Sequence, residues 1–507
     1  MKKLILPVVA MLLCMTACKK EENGILRLEV EHYNSDAKMH IDSEDFAVWD
    51  NNDVVYLNGQ ETAVSISGTT ATIAVPEGVS APYYASYPYQ ATSANGSYTI
   101  TLPAEQTYRK NTDGQQILDA PMAAYSADGN KLKFRNICSI LALKVIPSSS
   151  ATTKVLRIEV SANQPLWGDI SFQNDLNSDP YTLSSCTNGG NTVTLMCNNE
   201  NVPSTGKIFN IALPEVSDAT FTIKVYTEEN FDIYSYTRTQ SGSISFDKNT
   251  IHEVPFTLNT DERTSLGLFS IDDISGYYYY YVSFAPGNYQ YYNISGSNAS
   301  DPWTYKTSQS YSDCDLFAWN SDRLGGRSIY GPDGYQGGGR TGCGSYDAGE
   351  YSYLLGKDEW QYVFCSRTNS LSFNGTGMYQ VLWVRANVNN LNGVILFPDG
   401  NVTLTVVGKN LSATATDYTT NTFTADEWNN VFKPAGCVFL PALGYRYNGE
   451  LSAFGENCCY WSSTGIIPSS PTAIGNACRV RVKSSDDPSF GNVSRTNCFP
   501  VRLAKER

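Results

Sequence analysis

In the stretch Phe221-Thr222-Ile223-Lys224-Val225, apolar and polar residues alternate with a period of two, the pattern of a strand with one buried and one wet face. Runs of the same kind recur from Ile25 to about Thr260: Leu26 to Val30, Ala71 to Val75, Tyr98 to Leu102, Leu141 to Ile146, Val155 to Val160 and Ile233 to Thr237. Gly, Asn, Asp and Pro punctuate them, and no helical stripe of useful length intervenes. Short strands at this spacing predict β-sandwiches. A Pro/Ser/Ala/Thr stretch from Pro147 to Thr153 predicts a boundary between two of them, and a second boundary is expected near Asn259 to Ser265.

Beyond that point the pattern changes. Thr424-Ala425-Asp426-Glu427-Trp428 reads as a capping box, after which Trp428, Val431 and Phe432 share one face at i, i+3 and i+4. Gly356-Lys357-Asp358-Glu359-Trp360 repeats the arrangement with Trp360, Val363 and Phe364. Two short amphipathic helices are expected, among strands at Val394 to Phe397, Cys437 to Leu440, Cys459 to Ser462, Arg479 to Lys483 and Pro500 to Leu503. The back half is therefore expected to be α+β and the whole chain mostly β.

Composition narrows the function. With 507 residues, 41% of them hydrophobic and 17% charged, the chain is globular rather than disordered. A formal charge of −14 repels phosphate backbones, so nucleic acid is not an expected partner. The 34 tyrosines beside 39 glycines favour strands and turns over long helices. The densest aromatic cluster is Tyr277 to Tyr281 with Tyr289, Tyr291 and Tyr292. Either its tyrosines offer flat amphipathic faces to glycans or protein partners, in which case Tyr277, Tyr279, Tyr281, Tyr289 and Tyr291 are the candidate contacts, or they point inward as strand packing.

The beginning of the chain reads as an address. Lys2 and Lys3 precede an apolar run from Leu4 to Leu13 that is too short to span a bilayer, and Thr16-Ala17-Cys18 follows. This is similar to a lipoprotein signal, residues 1–17, cut before a lipidated Cys18, although Met15 stands where that class usually has Leu. Residues 18–24 are expected to be a polar tether, and Lys20-Glu21-Glu22 resembles an acidic surface-export signal. Lipid would then be the anchor, in an outer membrane.

Of 13 cysteines, Cys14 leaves with the signal and Cys18 carries lipid, so an odd number remains and at least one thiol stays free or pairs between chains. Cys138 lies in an apolar run and is expected to be a buried thiol. Cys186 and Cys197 flank Asn188-Gly189-Gly190, and a disulfide across a hairpin is the candidate there. No CxxC, P-loop, HExxH or EF-hand pattern occurs. Histidine occurs at 32, 40 and 252 alone, which leaves the back half without a Ser-His or Cys-His pair. Gly337 to Gly344 is Gly-rich but lacks a phosphate-cradle ending and reads as a loop. No catalytic residue, metal or cofactor is expected.

The ordered strings Phe46-Ala47-Val48-Trp49-Asp50, Asp53-Val54-Val55-Tyr56, Tyr83-Tyr84-Ala85-Ser86-Tyr87-Pro88, Leu102-Pro103-Ala104-Glu105-Gln106, Pro121-Met122-Ala123-Ala124 and Phe134-Arg135-Asn136-Ile137-Cys138 resemble the N-terminal region of the fimbrillin family, subunits of protease-assembled type V pili. Val155 to Ser161 and Leu166-Trp167-Gly168-Asp169 extend the likeness into a second domain. Taken singly, Trp49, Tyr83, Tyr84 and Phe134 are packing residues.

A second resemblance covers the back half. Val282 to Asn288, Asp315-Leu316-Phe317-Ala318-Trp319, Asp358-Glu359-Trp360 with Arg367, Gly393 to Gly400, Phe439-Leu440-Pro441-Ala442, Tyr460-Trp461-Ser462-Ser463-Thr464 and Val501-Arg502-Leu503 resemble the major-paralogous domains of bacterial surface lipoproteins, of C-type-lectin-like fold. The calcium loop and the Trp-Asn-Asp strand of sugar-binding lectins are missing: Phe397-Pro398-Asp399 lacks the amide ligand, and Ser462-Ser463 follow Trp461. Adjacent Cys458-Cys459 do not match the copper-binding pair of the formylglycine-generating relatives.

Together the likenesses imply two transthyretin-like β-sandwich domains, 25–147 and 148–260, then a C-type-lectin-like domain, 265–507. They imply a non-enzymatic pilus subunit, at the tip or accessory, that assembles with other fimbrial subunits by strand exchange and presents its last domain to a host or bacterial surface glycan or protein. The opening strand is expected to be a removable edge segment, with Arg27 as the candidate cleavage point. The alternative is a monomeric, lipid-anchored surface glycan-binding protein.

Overall fold

The computed structural model describes residues 20–22, 25–32, 49, 53–67, 70–94, 97–110, 114, 116–127, 131–148, 153–173, 176, 182–229, 232–272, 279–285, 317–318, 353–447, 450–465, 476–494 and 497–506. Strands dominate them, as the alternating pattern predicts.

The first sheet closes on itself. Ile25–His32 is followed around the ring by Lys131–Asn136, Met122–Ser126, Tyr83–Tyr87, Val54–Leu57, Gln60–Ser67 and Thr70–Ala74, and the last of these pairs back with Ile25–His32. Period two sends Val55, Leu57, Tyr83, Ala85, Tyr87, Ile73, Leu132 and Phe134 inward, where Trp49 joins them in one core. Trp49 meets Tyr87 and Phe134 edge-on, at centroid distances of 5.4 and 5.1 Å. The tight turn Asn58-Gly59, with φ of 47° and 82°, joins two of the strands, and this left-handed pair is why Asn and Gly stand there.

A second core lies between two sheets. One has the order Arg263–Leu266, Asp232–Thr239, Phe221–Glu229, Thr153–Ala162, Thr192–Val202, Glu105–Thr107, and the other Lys207–Leu213, Ser139–Pro147, Ile251–Leu258. Leu143, Val145, Phe209, Ile211, Phe256, Ile158, Val160, Leu195, Val225 and Tyr236 fill the space between them. The division expected at 147/148 is not respected by this pairing. Ser139–Pro147 belongs to the second core, Glu105–Thr107 pairs with Thr192–Val202, and Ser97–Leu102 pairs with Trp167–Phe172. The strands on either side of the Pro/Ser stretch, Ser139–Pro147 and Thr153–Ala162, belong to the two sheets of this one sandwich. Likewise Arg263–Leu266, expected at a boundary, is the edge strand of the larger sheet.

In the remaining part, Tyr279–Phe284 pairs with Leu503–Glu506, so strands from its two ends lie side by side. The helix Lys357–Cys365 forms as its capping pattern predicts: Glu359 accepts the N–H of Gly356 (2.5 Å), and Trp360, Val363 and Phe364 are buried. The second helix differs. Thr424 and Glu427 make the reciprocal cap (3.1 and 2.7 Å), but beyond Ala425–Glu427 the turn widens, with the N–H of Lys433 donating to the carbonyl of Trp428 at 2.9 Å, five residues back. Trp428, Val431 and Phe432 still face the core, where Met196 of the preceding sandwich joins them. On the other side of this turn the Nδ2 of Asn430 donates to the Oδ1 of Asn198 (3.0 Å), and Lys433 reaches Asn199 (3.4 Å) and Glu228. Lys505 adds an ion pair to Asp232 at 3.5 Å. Thus the last part is docked on the sandwich by an apolar anchor and buried charges.

Candidate functional site

The opening strand carries Arg27, the candidate cleavage point. Ile25–His32 pairs antiparallel with Thr70–Ala74 across Arg27 to Val30, and parallel with Lys131–Asn136 across Glu29 to His32. Leu28 is registered against Ile73 and Val30 against Leu132, two fully buried residues of the barrel core. The strand is hydrogen-bonded on both flanks, so it is not the edge segment that the sequence led us to expect; it is the stave that closes a ring. Lys20–Glu22, expected to be a tether, folds back on it as a short antiparallel strand, with Lys20 opposite Arg27. Arg27 therefore lies within paired strand, opposite Ala74 on its other flank.

The hydroxyl of Tyr87 donates to Asp53 at 3.4 Å, and burial, reinforced by the Asp53 carboxylate, pushes this phenol far up, so it stays a neutral donor. A strand drawn from this wall would expose Ile73 and Leu132 to water, each worth roughly 1.5–3 kcal/mol of burial.

On the outer face a second feature escaped the sequence reading. Tyr83 is core, as expected, but its neighbour Tyr84 points the other way and stacks on Tyr98 (4.1 Å between centroids), which continues to Phe172 (5.7 Å). With Tyr56, Asn58 and Gln90 they line a cavity of about 550 Å³. The signal was present in the alternation of Tyr83 and Tyr84, but its partner strands are distant in sequence and only the fold brings them together.

The candidate ligand tyrosines fare unevenly. Tyr281 is exposed, at 37%, on a strand whose Val282 and Phe284 enter the core. Tyr279 occupies the same parity of that strand. Tyr277, Tyr289 and Tyr291 lie outside the described residues, as do Cys18, the leader 1–17 and the Gly337–Gly344 run.

The Cys186–Cys197 bridge is corrected. Both thiols are free: Cys197 is buried in the sandwich core, whereas Cys186 packs against a different cluster. The Asn-Gly-Gly segment does not make the expected hairpin, because Thr187–Gly190 pairs with Trp167–Phe172 while Thr192–Val202 runs in the six-stranded sheet. Cys138 is buried, its thiol pushed up to about 12 by desolvation.

In the last part Asp399, weighed against a calcium loop, is committed elsewhere. One of its oxygens pairs with the Nη1 of Arg367 at 2.5 Å and the other accepts the N–H of Ser270 at 2.7 Å. Arg367 is fully buried and also donates to the carbonyls of Val363 and Phe397, so this pair holds the fold together. Among the described residues no group of three His, Cys, Asp or Glu is placed to hold a metal, and no helix is long and apolar enough to cross a membrane.

No family model and no curated protein matches the chain. Among solved structures, a candidate cell adhesion protein from Bacteroides ovatus ATCC 8483 is similar over 48% of this chain and 95% of its own, at 13% identity and a TM-score of 0.31. A candidate cell adhesion protein from Bacteroides uniformis ATCC 8492 covers 48% of this chain and 97% of its own, at 12% identity and a TM-score of 0.28. A fimbrial protein from Bacteroides ovatus ATCC 8483 is similar over 94% of this chain and 98% of its own, at 10% identity and a TM-score of 0.24.

Proposed function

We propose that the chain is a cell-surface pilus subunit of the fimbrillin kind, at the tip or in an accessory position, held at the outer membrane through lipid on Cys18 until it is assembled. In this reading a partner's strand replaces Ile25–His32, and the C-terminal part, of C-type-lectin-like fold, presents a ligand site. The observation that carries the reading is the double pairing of Ile25–His32 between Thr70–Ala74 and Lys131–Asn136. A strand in that position is held by backbone bonds on both flanks, and its sequence alternates Leu26, Leu28 and Val30 with Arg27, Glu29 and Glu31, a pattern that a donor strand can reproduce. Its loss leaves two facing edges and an open apolar slot, which is the geometry an acceptor needs.

The register also bears on where a productive cut falls. Cleavage after Arg27 would leave Leu28 to Val30 paired with Ala71 to Ile73, and Glu29 to His32 paired with Lys131 to Phe134. The slot is vacated only by a cut beyond His32, and the next basic residue in the sequence is Lys38, outside the described residues. Leu503–Glu506 lies between Tyr279–Phe284 and Tyr353–Leu354, so this strand is engaged within its own chain.

The test is limited digestion of the folded chain with a protease that cuts after Lys and Arg, followed by mixing with fimbrillin subunits. Release of a peptide that includes residues 25–32, with capture of a partner strand by the remainder, is the expected result. A chain that keeps this strand under digestion, or loses it and accepts no partner, overturns the proposal.

A further inference from the structure

The strand Asn476–Lys483 carries an unusual load on one face. Its Val480 and Val482 are buried in the core with Cys458 and Tyr460, so period two sends Arg479, Arg481 and Lys483 to the opposite face. There they stand in register with Trp461, Cys459 and Asn457 of the neighbouring strand, and the three cations line a cavity of about 320 Å³. Tyr445 and Phe499, 5.6 Å apart between centroids, form its aromatic wall, and Asn457 and Asn497 line it too.

Among the described residues the two arginines have no counter-charge. Two other guanidinium groups of this part have polar partners on both sides of the fork: Arg367 pairs with Asp399, and Arg385 donates to the carbonyls of Lys483 (2.8 Å) and Ala415 (3.0 Å). By contrast, Arg479 Nη1 and Arg481 Nε are buried without a hydrogen-bond partner, and neither side chain has an ion pair among the described residues. Lys483 meets Asp486 at 3.5 Å on the exposed rim. The Cys459 thiol does not supply the charge, because burial pushes it up to about 11 against the pull of the three cations, and it stays neutral. Burial and the neighbouring Arg481 hold Arg479 below the ordinary arginine range. Like charges, half desolvated and unpaired, are costly to keep together. In a chain of net charge −14 they are also a local reversal of the field.

We infer that this cavity is a binding site for an acidic sugar, a saccharide unit bearing a carboxylate or sulfate. The two guanidinium groups would take the anionic group through charge-assisted bonds, the aromatic wall the apolar face of the ring, and the side-chain amide of Asn457, which lines the cavity, a hydroxyl. The ring and amide favour a sugar over an acidic peptide, whose carboxylates would use the cations alone. The inference deepens the ligand-presenting part of the pilus reading, but it is tested on the uncut chain without any partner subunit, so either can fail without the other.

The experiment is calorimetric titration of the full chain with tetragalacturonate, a chondroitin sulfate tetrasaccharide, neutral chitotetraose, hexaglutamate and sodium sulfate. At least one acidic saccharide is expected to bind, weakened about tenfold or more by Arg479→Gln and by Arg481→Gln, and weakened by salt at about 0.5 M. The Tm of both variants is expected to stay level or rise, since each removes a like-charge contact. Lys483→Gln, at the exposed rim, is expected to weaken binding severalfold and checks the site should a core-side variant fold poorly. Chitotetraose or hexaglutamate binding as tightly as the acidic saccharides overturns the inference. So does binding of sulfate alone, no binding of any probe, or affinity indifferent to the three substitutions.

Discussion

Lys433, from the widened turn of the C-terminal part, forms an ion pair with Glu228 of the preceding sandwich, whose carboxylate is 3% exposed and is also held by Lys154 at 2.9 Å. Burial alone would push this carboxyl up, but Lys433 and Lys154 outweigh it and hold Glu228 below the usual carboxylate range. A depressed folded value means that its stabilisation is complete above the ordinary range, about pH 4.5, and is lost as pH falls through the folded value. Glu228→Gln is therefore expected to lower stability by about 1–3 kcal/mol at neutral pH, leaving the partly buried Lys433 and Lys154 without their carboxylate. The gap to the parent chain should close as acidification takes the pH through the depressed folded value. Thermal unfolding of both chains across pH 3 to 7 checks this; a gap that is constant with pH contradicts it.

The same junction has a backbone contact with no room to spare. Gly267 and Gly436 have φ of 70° and 80°, and a Cβ on Gly436 would come within 2.2 Å of the Gly267 nitrogen. Gly436→Ala combines left-handed strain with a backbone clash and should cost about 2–4 kcal/mol. Denaturant unfolding reads the loss, and an alanine variant as stable as the parent would show that the two loops part freely.

Thiol chemistry separates the cysteines. Among the described residues Cys365 is the exposed one, while Cys197, Cys437 and Cys458 are buried and pushed well up by desolvation. An aromatic disulfide reagent on the native chain should label Cys365 before these three, faster as pH rises, because burial and Asp487 raise that thiol as well. Peptide mapping without reductant should show no bridge between Cys186 and Cys197.

Phe134 tests the barrel core. It is fully buried and edge-on to Trp49. Phe134→Ala should cost about 3–5 kcal/mol by cavity formation. The Trp49 signal, taken as the emission difference from a Trp49→Phe chain, should report the earlier melting.

Much of this architecture is legible in the alternation and capping of the sequence, because those signals are local. The inward set of Val55, Leu57, Tyr83, Tyr87 and Phe134, the helix Lys357–Cys365 and the cap at Thr424 follow from residues a few positions apart. Strand partnership does not. Pro147 to Thr153 reads as a boundary, yet the strands that flank it, Ser139–Pro147 and Thr153–Ala162, pack in one sandwich; Thr192–Val202 reads as half of a hairpin with Thr187–Gly190 and joins another sheet. The opening strand was recognisable by its pattern, but only the closed ring shows that it has neighbours on both sides.

The sequence by itself determined which residues face inward and where chains of one periodicity begin, since side-chain direction is fixed by dihedral repeat and solvent. It also carried the alternating Arg479, Val480, Arg481, Val482, Lys483. Only the packed fold settles which strands lie side by side, and hence that Arg479 and Arg481 meet with no ion pair among the described residues and that Lys433 finds Glu228 across about two hundred residues of chain. Backbone ladders are indifferent to side-chain identity, so partnership is settled by the packing of whole faces.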